Sequence, residues 1–135
     1  MNLELKMQQL GITLPDPVQT IYDYKPLSIH QGVAYLTGQI AKLPDGGLYA
    51  HGLVGKEVDL ETACESARLC VLQGLAWLKK DLGGLDKIQG VLRLNGYVAI
   101  KPDFDKISEV IDAASNLLGS IFGEQGRHPR SVIGV

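Results

Sequence analysis

Phe104-Asp105-Lys106-Ile107-Ser108-Glu109-Val110-Ile111-Asp112-Ala113-Ala114-Ser115-Asn116-Leu117-Leu118-Gly119-Ser120-Ile121-Phe122-Gly123 is the stretch on which the fold turns. Phe104, Ile107, Val110, Ile111, Ala114, Leu117, Leu118 and Ile121 recur at steps of three and four, which places them on one face of a helix. Asp103 stands where a cap would start that helix and Gly123 where a glycine would end it. After a polar turn, Pro129 to Val135 reads as a strand. Ahead of the helix, Lys87 to Ala99 reads as one long strand, because Leu92, Leu94 and Val98 alternate with Arg93, Asn95 and Tyr97.

Working further back, Asp59 is a good N-cap, and Glu61 in the next turn complements the positive end of a helix dipole. The helix it opens runs to about Leu82, with Ala63, Ala67, Cys70, Val71, Gly74, Leu75 and Leu78 on one face, and Gly83-Gly84 ends it. Small residues dominate the early half of that face, so the helix can lie close to a sheet. Gly32 to Gly38 reads as a strand bounded by glycines, Pro44-Asp45-Gly46-Gly47 as a turn, and Leu48 to Leu53 as a weaker strand. A short first helix covers Asn2 to Leu10 and stops at Gly11, ahead of Pro15 and Pro17. Strands followed by helix, strand, helix and strand predict an α+β fold, with two helices packed on one face of a mostly antiparallel sheet. Residues 1–135 carry no linker or repeat and are expected to form a single domain. Tyr35, Ile88, Val91 and Tyr97 fall partly on the other face of that sheet, which therefore needs a cover, and oligomerisation supplies one.

Composition narrows the function classes. Hydrophobic residues make up 45% and charged residues 21%, which suits a packed domain and not a disordered chain. No apolar run reaches the roughly 18 residues of a membrane-spanning helix, and Met1 to Lys6 lacks the pattern of a signal peptide. No membrane association and a cytoplasmic location are expected. A net charge of −2 and a pI near 5.9 argue against a nucleic-acid partner, which is held through clustered Lys and Arg. Cys64 and Cys70 share a helix about 120° apart around its axis, so they are expected to stay reduced.

His30, His51 and His128 show no metal-ligand spacing and read as surface or turn residues, so no metal is expected. No nucleophile elbow or Walker loop occurs, and no cofactor is expected. Glu61 and Glu65 are an i,i+4 pair on a solvated helix face. Gly123-Glu124-Gln125-Gly126-Arg127-His128-Pro129-Arg130-Ser131 stands out because it concentrates two arginines at a strand start. Such a guanidinium suits two-point binding of a carboxylate; a surface arginine in a charged loop is the equally weighted alternative.

Three segments resemble the reactive-intermediate deaminase (Rid, YjgF-like, endoribonuclease L-PSP-like) family over nearly the whole chain. Tyr24 precedes Gln39 by fifteen residues, and the strand between them ends in Leu36-Thr37-Gly38-Gln39, similar to the family's Tyr…Ser-Gly-Gln pattern. Ala63, Ala67, Leu72 and Leu75 with Leu82-Gly83 resemble its first long helix, and Phe122 to Val135 resembles its arginine-bearing strand. Gly126-Arg127-His128 and Asp112-Ala113-Ala114-Ser115 look like a less characterised branch. The resemblance implies a chorismate-mutase-like fold, a homotrimer, and clefts between subunits that take a small carboxylate-bearing substrate. It also implies hydrolysis of reactive enamines and imines to keto acids and ammonia. Arg130 matches the arginine that grips the substrate carboxylate, Tyr24 a tyrosine lining the cleft, and the Gly38 and Val132 backbone the groups flanking the bound acid. The chain departs from the pattern in having Val132 where a cysteine is common. It also stops at Val135, ahead of a Leu-Pro turn and a strand with a water-positioning glutamate, so an incomplete sequence lacking that strand is expected. A non-catalytic, small-carboxylate-binding or regulatory trimer is the alternative. Ribonuclease activity, a third reading attached to some relatives, sits poorly with the acidic balance and with histidines that form no acid/base pair in sequence.

Overall fold

A computed structural model describes residues 2–17, 19 and 21–135. Helix α1 spans Leu3–Gln9 and is capped by the Asn2 side chain, which accepts from the Leu5 N–H. Strands β1 (Leu27–His30) and β2 (Val33–Leu36) form an antiparallel hairpin. Its two-residue turn, Gln31-Gly32, has positive φ at both positions, as a turn matched to strand twist requires. Helix α2 spans Leu60–Leu82, with Asp59 Oδ1 accepting the Thr62 N–H at 2.8 Å and Gly83 closing it in the left-handed conformation. Strand β3 (Leu94–Val98), helix α3 (Ile107–Phe122), a short 3₁₀ turn (Gly123–Gly126) and strand β4 (Arg130–Gly134) complete the chain.

The α+β class holds, and the sheet differs from the expected one. The described strands form two separate two-stranded sheets, β1–β2 antiparallel and β3–β4 parallel, in place of one mostly antiparallel sheet. The long strand expected over Lys87 to Ala99 contracts to β3, because its partner β4 starts only at Arg130, opposite Leu94. Upstream of that register the chain runs against the 3₁₀ turn instead: the Val91 N–H donates to the Gln125 carbonyl, and a Cβ on Gly90 would lie 2.6 Å from the same oxygen. The Leu48 to Leu53 strand reduces to an isolated bridge between Leu48 and Lys42. Strand β1, unread in the sequence, pairs with β2.

Helix α3 starts one turn later than its apolar pattern implies. Asp103 does not cap it; the N-cap position is Lys106, without a side-chain bond, and Asp103 pairs with Lys101 at 3.3 Å. Phe104 sits in the preceding turn, yet packs on the same core as the helix, which is why it continued the helical period.

Two apolar clusters hold the fold together. Val54, Val58, Ala63 and Ala67 meet Val98, Val110, Ile111 and Ala114, so α2 and α3 close over the inner face of β3–β4. Met7 of α1 joins Leu75, Leu85, Leu117 and Ile121 in the second, and Ile88 packs here rather than on the outer sheet face. Gly96 allows α3 to approach β3, since a Cβ there would lie 2.7 Å from the Ile111 side chain. The outer face of β3–β4 stays bare, with Tyr97 66% and Ile133 48% exposed.

Candidate functional site

The site forms where β4 begins beside the second half of α3. Strand β4 turns Arg130 and Val132 toward the helices and Ile133 outward, following the alternation of a strand. Asp112 and Ser115 stand three apart on α3, one above the other on the flank that faces the start of β4. The Arg130 guanidinium reaches that flank. One terminal nitrogen donates to Ser115 Oγ at 3.0 Å, and the other to Asp112 Oδ1 at 2.6 Å and the Ser108 carbonyl at 3.4 Å. Its side chain is 24% exposed, so the charge-assisted bond to Asp112 fixes it in a partly desolvated place. Arginine carries five N–H directions; Ser115 takes one of those on Nη1, and Asp112 and the Ser108 carbonyl take both of those on Nη2.

His128 continues the same network. Its Nδ1 lies 2.6 Å from the Gly126 carbonyl and its Nε2 3.0 Å from Ser115 Oγ. A carbonyl only accepts, so in the neutral ring Nδ1 carries the hydrogen and Nε2 accepts from the serine hydroxyl. Gly126 has to be glycine, because a Cβ there would collide with the Leu118 carbonyl of α3. Ser115, Asn116, Gly119, Gly126, His128 and Arg130 line an open cleft of about 670 Å³. Another hollow, of about 510 Å³, lies beside His51, Glu57 and Asp59 at the start of α2 and contains none of the expected site residues.

Of the residues singled out in the sequence, Arg130 lies in the cleft, and Val132 lies two positions along β4, packed against the core. Tyr24 and Gly38 are elsewhere, flanking the β1–β2 hairpin. Tyr24 is 55% exposed, and a Cβ on Gly38 would meet nothing within 4 Å. His128, read as a surface or turn residue, lies in the loop between the 3₁₀ turn and β4, half-buried and bonded through both ring nitrogens. Asp112, Ser115 and His128 were absent from the expected site. The i,i+3 spacing of Asp112 and Ser115 and the i,i+2 spacing of His128 and Arg130 are the signals that could have found them. Among the described residues, no group of three His, Cys, Asp or Glu side chains is placed to hold a metal ion, and no helix is long and apolar enough to cross a membrane.

Sequence comparison matches residues 4–134 to the family described as "YjgF/chorismate_mutase-like, putative endoribonuclease". The chain belongs to this family. It is 34% identical over 130 residues to Protein TCP17 of Trypanosoma cruzi, covering 96% of this chain and 81% of that protein. Among solved structures it resembles Atu1372 of Agrobacterium tumefaciens, a protein of unknown function, with TM-score 0.88 and 39% identity over 98% of this chain and 82% of the other. It also resembles a protein of Shewanella oneidensis MR-1 described as a putative endoribonuclease, with TM-score 0.93 and 30% identity over 100% of this chain and 89% of the other. Family membership places this α+β chain among YjgF/chorismate-mutase-like folds.

Proposed function

We propose that this family member hydrolyses small, carboxylate-bearing enamines and imines to keto acids and ammonia, in clefts completed by neighbouring copies of a homotrimer. The observation that supports this most is the Arg130 guanidinium, held at a cleft by Asp112, Ser115 and the Ser108 carbonyl, with two N–H directions left for an acid. A guanidinium fixed in this way presents Nε–H and the second Nη1–H as separate single-point donors to a carboxylate beside the reacting carbon. In this reading Tyr24 lines the cleft and the backbone of Gly38 and Val132 flanks the acid. Imine hydrolysis is an easy reaction, so positioning and modest electrostatic help suffice for a useful rate. The bare outer face carrying Tyr97 and Ile133 supports assembly, since a patch of that kind is more stable covered.

The test replaces the arginine. Arg130→Ala should lower affinity for two- to five-carbon keto acids at least roughly tenfold, since a truncated charge pair of this kind costs on the order of 2–5 kcal/mol. Arg130→Lys should restore little, because a single ammonium cannot hold both Ser115 and Asp112 as the two terminal nitrogens do and still face an acid. Arg127, which lines the same cleft but is more exposed and pairs with Glu124, is the control and should matter far less when changed to alanine. Calorimetric titration reads the binding, and ammonia release from a freshly generated imine reads turnover; an Arg130→Ala protein unchanged in both would remove this function. Light scattering should give about three times the 14.6 kDa of one chain, and a monomer at micromolar concentration would count against the trimer.

A second reading is a trimer that binds a small carboxylate without turnover. It is favoured by the Asp112 carboxylate, which pairs with Arg130 and offsets its charge, leaving a group that holds an acid rather than one that drives a reaction. Binding by the unaltered protein without ammonia release would select it.

A further inference from the structure

We infer that Ser115 and His128 form a proton relay that activates the attacking water in the Arg130 cleft; this rests on the hydrolysis proposed above. Three hydrogen bonds give the pair a direction. The Gly126 carbonyl takes the Nδ1 hydrogen of His128 at 2.6 Å, leaving the Nε2 lone pair aimed at Ser115 Oγ, 3.0 Å away. Arg130 donates to the same oxygen at 3.0 Å. The serine hydroxyl is therefore flanked by a base on one side and a cation on the other, an arrangement that eases its loss of a proton. Its remaining lone pair is free to accept from a water.

The chemistry balances without any further reagent. A substrate held by its carboxylate on Arg130 presents its protonated imine carbon to the cleft. Water oxygen bonds to that carbon as the C=N electron pair moves onto nitrogen. The water proton passes to Ser115 Oγ while the serine proton passes to His128 Nε2, giving a neutral carbinolamine and an imidazolium. The relay then returns this proton to the amine nitrogen. The C–N bond breaks with its electron pair leaving on ammonia, an oxygen lone pair closes the C=O, and the hydroxyl proton returns through the relay to solvent. His128 touches the relay and not Arg130, so binding and turnover should separate when His128 is changed, whereas Ser115 also holds Arg130.

The experiment measures binding of pyruvate by calorimetry and ammonia release from 2-iminopropionate, generated in place from alanine by an amino-acid oxidase, for the full chain and three variants. His128→Gln keeps the size of the ring and a polar end but cannot carry the proton onward. It should leave the pyruvate Kd within about twofold and lower kcat by roughly tenfold or more, the lower part of the range for general-base catalysis being apt for so easy a reaction. Ser115→Ala removes one oxygen and should lower kcat similarly, and Ser115→Thr, which retains a hydroxyl, should recover most of it. Thermal melts establish that each variant is folded. If kcat is unchanged in both His128→Gln and Ser115→Ala while the parent is active, the relay is wrong and the Arg130 function stands. If binding and turnover fall together in His128→Gln, the histidine only holds Arg130 in place and the relay is likewise wrong. A parent that binds pyruvate but releases no ammonia above the spontaneous rate removes the hydrolysis and the relay with it.

Discussion

The β3–α3–β4 unit and the β1–β2 hairpin are built from similar residues and end in opposite conditions. In the first, Val98, Ile111, Leu117 and Ile121 are buried and β3 shares a ladder with β4. In the second, Leu27 is buried but Ile29 is 49% and Tyr35 59% exposed. The hairpin leans on α2 through Leu36, near Gly74, and shares no sheet with β3–β4. Arg130, Asp112, Ser115 and His128 belong to the first region, Tyr24 and Gly38 to the second. The contrast teaches that the Arg130 cleft is organised within a single chain by core packing. Tyr24 and Gly38 flank a hairpin whose Ile29 and Tyr35 lie open on the surface.

The strongest way to break this contrast is to cut into both regions. Leu117→Ala, at a position 2% exposed, should cost on the order of 2–5 kcal/mol. Ile29→Ala should stay within about 0.5 kcal/mol for the isolated chain, as denaturant unfolding would show. A large loss at Ile29 that grows with protein concentration would mean that assembly buries the hairpin.

Glycines sharpen the same comparison at smaller amplitude. Gly126→Ala drives a methyl into the Leu118 carbonyl and should cost about 1–3 kcal/mol, with disturbance of the His128 ring that bonds to its carbonyl. Gly38→Ala meets open space and should be nearly neutral to unfolding; lost binding without lost stability in that variant would place the hairpin in the cleft.

The smallest effect is a pH dependence from α2, the helix between the two regions. Burial pushes the Cys70 thiol up to about 11. A raised value in the folded state means that its contribution to stability is complete below about 9, its ordinary value, and is lost as pH rises from there toward 11. Iodoacetamide at pH 8 should accordingly modify unfolded protein far faster at Cys70 than folded protein. Cys64, also raised chiefly by burial and then by Glu109, Asp112 and Glu61, should be shielded in the same sense. Both thiols are free, as their places on one helix require, and a Cys64–Cys70 bond in non-reducing mass spectrometry would contradict α2 itself.

Signals that act within a few residues are legible in the sequence. Asp59 caps α2, Gly83 ends it, Gly123 ends α3, and the strand read over Gly32 to Gly38 is β2. Strand β1 escaped because its turn is Gln31-Gly32; glutamine at a positive φ gives none of the signal that asparagine would. The length of β3 is not legible in the sequence, because alternation marks where a strand could run, while the ladder ends where its partner does.

The sequence by itself determined the helices and the arginine at the head of the last strand, because helical periodicity, caps and glycine stops are properties of neighbouring residues. Only the tertiary structure decided that β3 and β4 pair in parallel, and that His128 and Arg130 meet Ser115 and Asp112 on α3. Those contacts join residues 13 and 18 positions apart. They depend on α3 lying close against the sheet, which follows from Gly96 and Gly126 having no side chain to hold it away. Neither closeness nor partner choice is written in any short stretch of the chain.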